Sequence, residues 1–283
     1  MSAATTADAE ATRTGVSSVL RRAFALNTLG PLGALVLACL FFSIRSDRFF
    51  TGANFSLIVQ QVMVVGTLAI GQTLVILTAG IDLSNGAVMA LGNIAMTRLA
   101  VNSGLNPFLA ILLGLLLCAG FGLLNGGLVT TINLPPFIVT LGTLNIALAL
   151  THIYSNEQTV SGLPTEMTWF GNTFRIGQTD ITYGTVLMLV LYLVTWFVLR
   201  QTAAGQHVYA VGNEPEAARL SGIRTKRVLL VVYTTAGLIY GIGSWLLSPG
   251  PGSATPTPGR PTTSTASPPS CSAARASSAG AAA

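Results

Sequence analysis

Few residues in this 283-residue chain could do chemistry, because 8% are charged and 51% are apolar. Asp82 sits inside a long apolar stretch. An ionisable group there costs about 2.5 to 3.5 kcal/mol to insert, so a substrate or proton role is one reading. The surrounding "TAGIDLSNG" is rich in helix-breaking and capping types. The favoured reading is therefore structural: Gly80 ends one helix, and Asp82 or Ser84 caps the next and satisfies its orphan amides. Gln60, Gln61 and Gln72 lie on the preceding run, and Gln61 and Gln72, eleven residues apart, share a helical face. Amides and hydroxyls suit hydroxyl-bearing solutes, so Gln61, Gln72, Asn93, Thr140 and Asn145 are candidates to line a solute path. For each of them the alternative is an interhelical hydrogen bond, worth about 0.6 kcal/mol on average between membrane helices.

Other chemistries are excluded by what the chain lacks. It has no Gly-x-x-x-x-Gly-Lys-Ser/Thr loop, and Lys226 is its only lysine, so it is not expected to hydrolyse ATP itself. It has no nucleophile and base pair and no histidine and cysteine cluster that would mark an enzyme or a metal site. Cys39, Cys118 and Cys271 follow no spacing pattern. His152, which closes an apolar run beside Tyr154, is read as interfacial.

The elements that must position these residues are membrane helices. With a mean hydropathy of +0.66 and so few charges, the chain cannot cover a soluble globule, in which about a quarter of residues are charged. At least seven apolar runs reach the roughly 17 to 25 residues a span needs, at 28–44, 57–78, 84–101, 107–128, 136–154, 181–199 and 228–247. Nothing alternates with period two as barrel strands do, so the expected fold class is all-α, a polytopic membrane protein of about seven helices. The first run follows Arg21 and Arg22 without a cleavage site and is read as a retained helix. Glycines recur in the fourth run at 114, 120, 122, 126 and 127, which marks it as closely packed. The segment 200–227 carries Arg200, Arg219, Arg224, Lys226 and Arg227 against Glu214 and Glu216, so it is expected on the cytoplasmic side, with the N-terminal segment 1–27. Arg45 and Arg48 dissent, partly offset by Asp47.

Within that basic segment, "GNEPEAARLSGI" has the marks of a two-turn helix: Asn213 as cap, Glu216 three residues on, Pro215 in the first turn and Gly222 at a left-handed stop. Two adjacent alanines, Ala217 and Ala218, leave one face low enough for another surface to press on it. Physical grounds alone leave two readings open, docking to a partner or a solvated helix against anionic lipid.

Glu216, Ala217, Ala218 and Gly222 reproduce the Glu-Ala-Ala-x-x-x-Gly pattern of the permease subunits of ABC importers. "GQTLVILTAGIDLSNGAVMALG" at 71–92 and "LPPFIVTLGTLNIALAL" at 134–150 resemble two further signatures of the ribose and xylose type sugar permeases. The resemblance runs from about residue 30 to 247, with Asn85 replacing an apolar residue of many members. It implies a membrane-spanning subunit of a sugar importer in the bacterial plasma membrane. The helix at 214–222 would be a coupling helix, with Glu216, Ala217, Ala218, Arg219 and Gly222 meeting a cytoplasmic ATPase that binds ATP and Mg. An extracytoplasmic sugar-binding protein and a second permease, as homodimer or heterodimer, would complete the assembly, with no cofactor on this chain, no metal and no nucleic acid. Two rivals stand beside this reading. A single-chain secondary transporter would show paired intramembrane charges or an inverted repeat, and a truncated, non-functional permease would expose surfaces meant to be buried.

Residues 248–283 contain only Ala, Arg, Cys, Gly, Pro, Ser and Thr, with seven of the chain's 13 prolines, a composition expected to be disordered. All seven types can be encoded with G or C in the middle codon position. In a GC-rich gene a one-base slip moves the G/C-rich third position there, so a frame lost near Ser248 is the expected origin of this tail. Resequencing codons 240–283 and translating all three frames should reveal long apolar runs with glycine pairs in another frame; finding no such open frame would establish the tail as authentic.

Overall fold

The computed structural model describes residues 30–156, 158, 160, 162–176 and 179–248. All seven expected runs are helical: α1 (Gly30–Arg45), α2 (Gly52–Leu77), α3 (Asn85–Val101), α4 (Pro107–Thr131), α5 (Pro136–Ser155), α7 (Tyr183–Gln201) and α10 (Thr225–Leu246), with α6 (Thr165–Thr168) in a loop and α8 (Ala203–Asn213) and α9 (Pro215–Leu220) before α10. Five of them, α2, α4, α5, α7 and α10, are long and apolar enough to cross a bilayer, while α1 is a shorter apolar helix and α3, at 17 residues, sits at the lower limit for a span. The expected N-terminal segment and all of the tail but Ser248 lie outside the described residues.

Local sequence accounts for the helix ends. Asn106 accepts a hydrogen bond from Phe108 N–H and Pro107 opens α4; Thr51 caps α2 through Asn54 N–H, so that helix starts five residues before the apolar run does. The end of α2 differs from expectation. Its left-handed residue is Ala79, φ 58°, with Ala79 N–H bonded to Ile76 O and Gly80 N–H to Val75 O. Gly80 is needed for space instead: a Cβ there would lie 2.6 Å from the Tyr233 hydroxyl and 3.0 Å from Val75 Cγ1.

α10 is the central element. Half of its spanning window is buried, against 17% to 28% for the other four long helices. It runs antiparallel to α4 at backbone contact. A Cβ on Gly122 would lie 2.3 Å from Tyr233 O, and one on Gly237 2.5 Å from Cys118 O. Gly126 meets Leu230 and Gly114 meets Met96 of α3, whereas Gly120 and Gly127 face open space. Through these glycines the fourth helix packs closely on α10 and α3. On the far side of α10, Tyr240 lies on Gly71 of α2.

The loop after α5 carries short elements of its own. Strands β1 (Thr173–Ile176) and β2 (Thr179–Thr182) form an antiparallel hairpin in which Arg175 opposes Asp180 and pairs with it at 3.2 Å. Trp169 stacks on Tyr183 at 5.2 Å and Phe170 meets Trp245 edge-on at 4.6 Å, an aromatic cluster of the kind found at a bilayer surface. Trp245 donates to Met167 O and Ser56 to Asp180 O, which ties this loop to the ends of α10 and α2.

Gly122→Ala should lower the stability of the detergent-solubilised protein by about 1 to 3 kcal/mol, since overpacking must separate α4 from α10. Gly120→Ala, which faces nothing, should leave the thermal midpoint unchanged or raise it. Equal midpoints for the two variants would contradict this packing.

Candidate coupling site and polar network

At one end of the helices, α8 and α9 form a small platform. α8 was not anticipated: "AAGQHVYAVGN" is mixed in polarity, yet it is a helix whose cap, Thr202, accepts from Gly205 N–H at 3.4 Å and donates to Val198 O at 2.6 Å. Asn213 is therefore the last residue of α8, not the cap of α9. The cap position of α9 is Glu214, in extended conformation and without a side-chain hydrogen bond, and Pro215 takes the first helical position as expected.

The stop of α9 matches its sequence. Gly222 has φ +85°, Gly222 N–H bonds to Arg219 O, and Ile223 N–H bonds to Ala218 O. This is the two-bond left-handed ending that glycine favours. Glu216 and Arg219 pair at 2.9 Å on the exposed surface, which contributes little to stability but holds both charges on one face. The two alanines do not act together: Ala218 is buried at 4% exposure and Ala217 is exposed. The projecting apolar group is Leu220, 81% exposed, which composition alone did not single out.

The platform rests on the bundle through backbone. A Cβ on Gly212 of α8 would lie 1.9 Å from Leu77 O and 3.3 Å from Thr78 Cα. α8 therefore presses on the last turn of α2, next to the turn that carries Asp82.

That turn is the start of a buried polar chain. Asp82 Oδ1 accepts from Ser84 N–H at 2.8 Å and from the Ser84 hydroxyl at 2.7 Å. Ser84 Oγ accepts from Asn125 Nδ2 at 3.1 Å, and Asn125 Oδ1 accepts from Thr143 Oγ1 at 2.5 Å. All four side chains are at most 3% exposed. Asp82 thus serves the turn before α3, and Ser84, at the cap position of α3, makes no side-chain cap bond to that helix. Asp82 lies in the turn between α2 and α3, and Ser84 beside it links that turn to α4 and, through Asn125, to α5. Asn125 and Thr143 were missed; Asn125 lies within the glycine-rich run, read only as packing.

The five path candidates are not equivalent. Thr140, fully buried, donates within its own helix to Pro136 O at 2.9 Å and lies 3.1 Å from Ile81 O in the Asp82 turn. Asn93 donates to Ser244 O at 2.8 Å and Ser248 Oγ at 3.1 Å, linking α3 to α10. Gln72 is half-buried and accepts from Asn85 Nδ2 at 3.2 Å. Asn145 donates to Leu141 O of its own helix, and it and Gln61 stand on exposed faces. Arg98 was also missed. It donates to Tyr154 O at the end of α5, with its guanidinium 5.7 Å from the Tyr154 ring centroid.

Among the described residues no group of three or more His, Cys, Asp or Glu side chains could hold a metal ion. Replacing Asn125 by Leu should destabilise the protein by about 1 to 3 kcal/mol, because Ser84 and Thr143 lose a buried partner. The same change at Asn145 should stay within about 0.5 kcal/mol. Thermal unfolding in detergent separates the two, and an indifferent Asn125→Leu variant would dismiss the chain of bonds as incidental.

Comparison with known proteins matches residues 54–266 to the family described as branched-chain amino acid transport system, permease component. The fructose import permease protein FrcC of Rhizobium meliloti is 44% identical over 223 residues, covering 77% of this chain and 62% of that protein. The ribose import permease protein RbsC of Bacillus subtilis (strain 168) is 35% identical, over 79% of this chain and 69% of its own length. The D-allose transport system permease protein AlsC of Escherichia coli (strain K12) is 34% identical, over 73% and 63%. The chain thus spans about two thirds or less of the length of these relatives. No solved structure matches it.

Proposed function

The chain belongs to the branched-chain amino acid transport permease family, and from that premise we propose that it is a membrane-spanning subunit of an ATP-binding cassette importer that admits a monosaccharide. The chain is a multi-pass membrane protein of the kind found in bacterial inner membranes. The sugar assignment is supported by relatives named for fructose, ribose and allose, which widens the expected ribose and xylose class. Hydrolysis of ATP falls to a separate subunit.

The observation that carries this reading is the platform. A six-residue helix is marginal alone, yet α9 is held at both ends and presents Glu216, Ala217, Arg219 and Leu220 outward. These are the groups an ATPase would grip. Its movement would pass through α8 to the end of α2 and through the 221–224 link to α10, as a rigid shift between two packings.

Two exposed amides support a partner subunit. Gln61 and Asn145 lie on exposed faces of helices that otherwise show Val62, Val65, Leu141 and Ile146 outward. Amides are costly against lipid, so these faces are assigned to a neighbouring permease copy or to a solute path formed with it. A binding protein would deliver the sugar at the hairpin end.

Glu216→Lys and Gly222→Val should reduce sugar uptake more than tenfold in cells carrying the cognate ATPase and binding protein, with normal amounts of protein in the membrane. The valine would meet left-handed strain of about 1 to 2 kcal/mol. Uptake and sugar-stimulated ATP hydrolysis that both stay at the parental level would reject the coupling role of α9.

A further inference from the structure

Beside α9 lies a cavity of about 380 Å³ that shares Gly222 and the 221–224 link with the coupling helix. It is bounded by His207 of α8, by Gly222 and Ile223 of the link, and by Arg224, Arg227 and Val228 at the start of α10. Its electrostatics are one-sided. Helix α10 has no acidic residue in its first turn and its cap residue, Arg224, provides no side-chain acceptor. Aligned peptide dipoles place a partial positive charge there, which favours anions and disfavours cations, yet Arg224, Lys226 and Arg227 all sit at that end. The ion pairs among the described residues are Arg175–Asp180 and Arg219–Glu216, so the carboxylate of Glu216 is engaged elsewhere and none of these three cations has one.

We propose that this cavity binds a phosphate-bearing anion, and that its occupant is the headgroup of an anionic phospholipid. The guanidinium fork matches phosphate oxygens in pairs, where a lysine would act only as a point charge. Two of the unpaired cations line the cavity and both are arginines. The positive end of the α10 dipole acts in the same sense. A lipid is favoured over a free ion because the lining is mixed: Ile223 and Val228 supply an apolar wall beside the arginines, as a headgroup with its glycerol requires. The cavity also stands where a spanning helix leaves the bilayer, at the end with the basic excess that anionic leaflets attract. An anion there would hold the link that joins α9 to α10, so lipid composition would set how firmly the platform is attached.

The test uses the full chain, delipidated in neutral detergent and titrated with short-chain phosphatidylglycerol, phosphatidylcholine or inorganic phosphate, with binding read by native mass spectrometry. It needs neither transport nor membrane orientation, so its failure is distinct from failure of the importer reading. Phosphatidylglycerol should bind at one saturable site, with phosphatidylcholine at least tenfold weaker. R224Q and R227Q should each weaken it about fivefold, the weight of one basic residue at an anionic surface. V228W, which fills the cavity and keeps every charge, should abolish it. K226Q, in the same turn but outside the lining, should change it less than twofold; an equal loss in K226Q would mean diffuse surface charge and overturn the site. Inorganic phosphate that binds as tightly as phosphatidylglycerol would retain the anion site and overturn the lipid as its occupant. Equal binding of phosphatidylcholine, or full binding by V228W with an unchanged thermal midpoint, would overturn the proposal altogether.

Discussion

The close approach of α4 and α10 is the constraint on which the rest depends. Between helices in lipid there is no hydrophobic driving force, so association rests on packing and on interhelical hydrogen bonds. Gly122 and Gly237 let the two backbones touch, each standing where a Cβ would collide with the other helix. With α10 held there, Tyr240 meets Gly71 of α2, the Tyr233 hydroxyl reaches Gly80, and Ser244 donates to Met89 O of α3 at 2.8 Å. Two helices far apart in the chain thereby locate the turn at 78–84, which neither of them contains.

The second organising feature is polar. Asp82, Ser84, Asn125 and Thr143 satisfy one another away from water, and an unmatched member would carry a full desolvation cost. Because the bonds are directional, they set the register of α4 and α5 against α3, which apolar packing alone specifies loosely. The glycine contacts bring backbones together, and the polar chain determines how far each helix slides.

Much of the fold was legible because it follows from local rules. Seven apolar runs became seven helices, and Pro215 and Gly222 occupy the positions their backbone chemistry demands. The rest depends on partners distant in sequence. Ser84 and Asn125 are 41 residues apart, and nothing in "LLNGG" says that its asparagine faces a serine. Asn93 and Asn145 are the same residue type in similar apolar company, yet one links two helices and the other bonds its own backbone. The helix α8 was hidden for another reason: its buried face is only Gly205, Val208 and Val211, too short a periodic stretch to stand out between two long apolar runs. The β1–β2 hairpin is equally short, with strands of four residues, too few for alternation to register.

The geometry of the platform limits how a push on α9 can spread. One residue, Glu214, separates α9 from α8, and four, 221–224, separate it from α10. Neither link has slack: the first is a single extended residue, and the second is tightened by the Gly222 and Ile223 amide bonds. A displacement of α9 must therefore move both neighbours. Through α8 it reaches Leu77 and the Asp82 turn; through α10 it reaches α4. These routes meet again at Asn125, which lies on α4 and bonds to Ser84 beside that turn. The platform and the polar chain thus form a closed mechanical loop. Such a loop favours two discrete arrangements over gradual deformation, because close-packed interiors resist intermediate spacings.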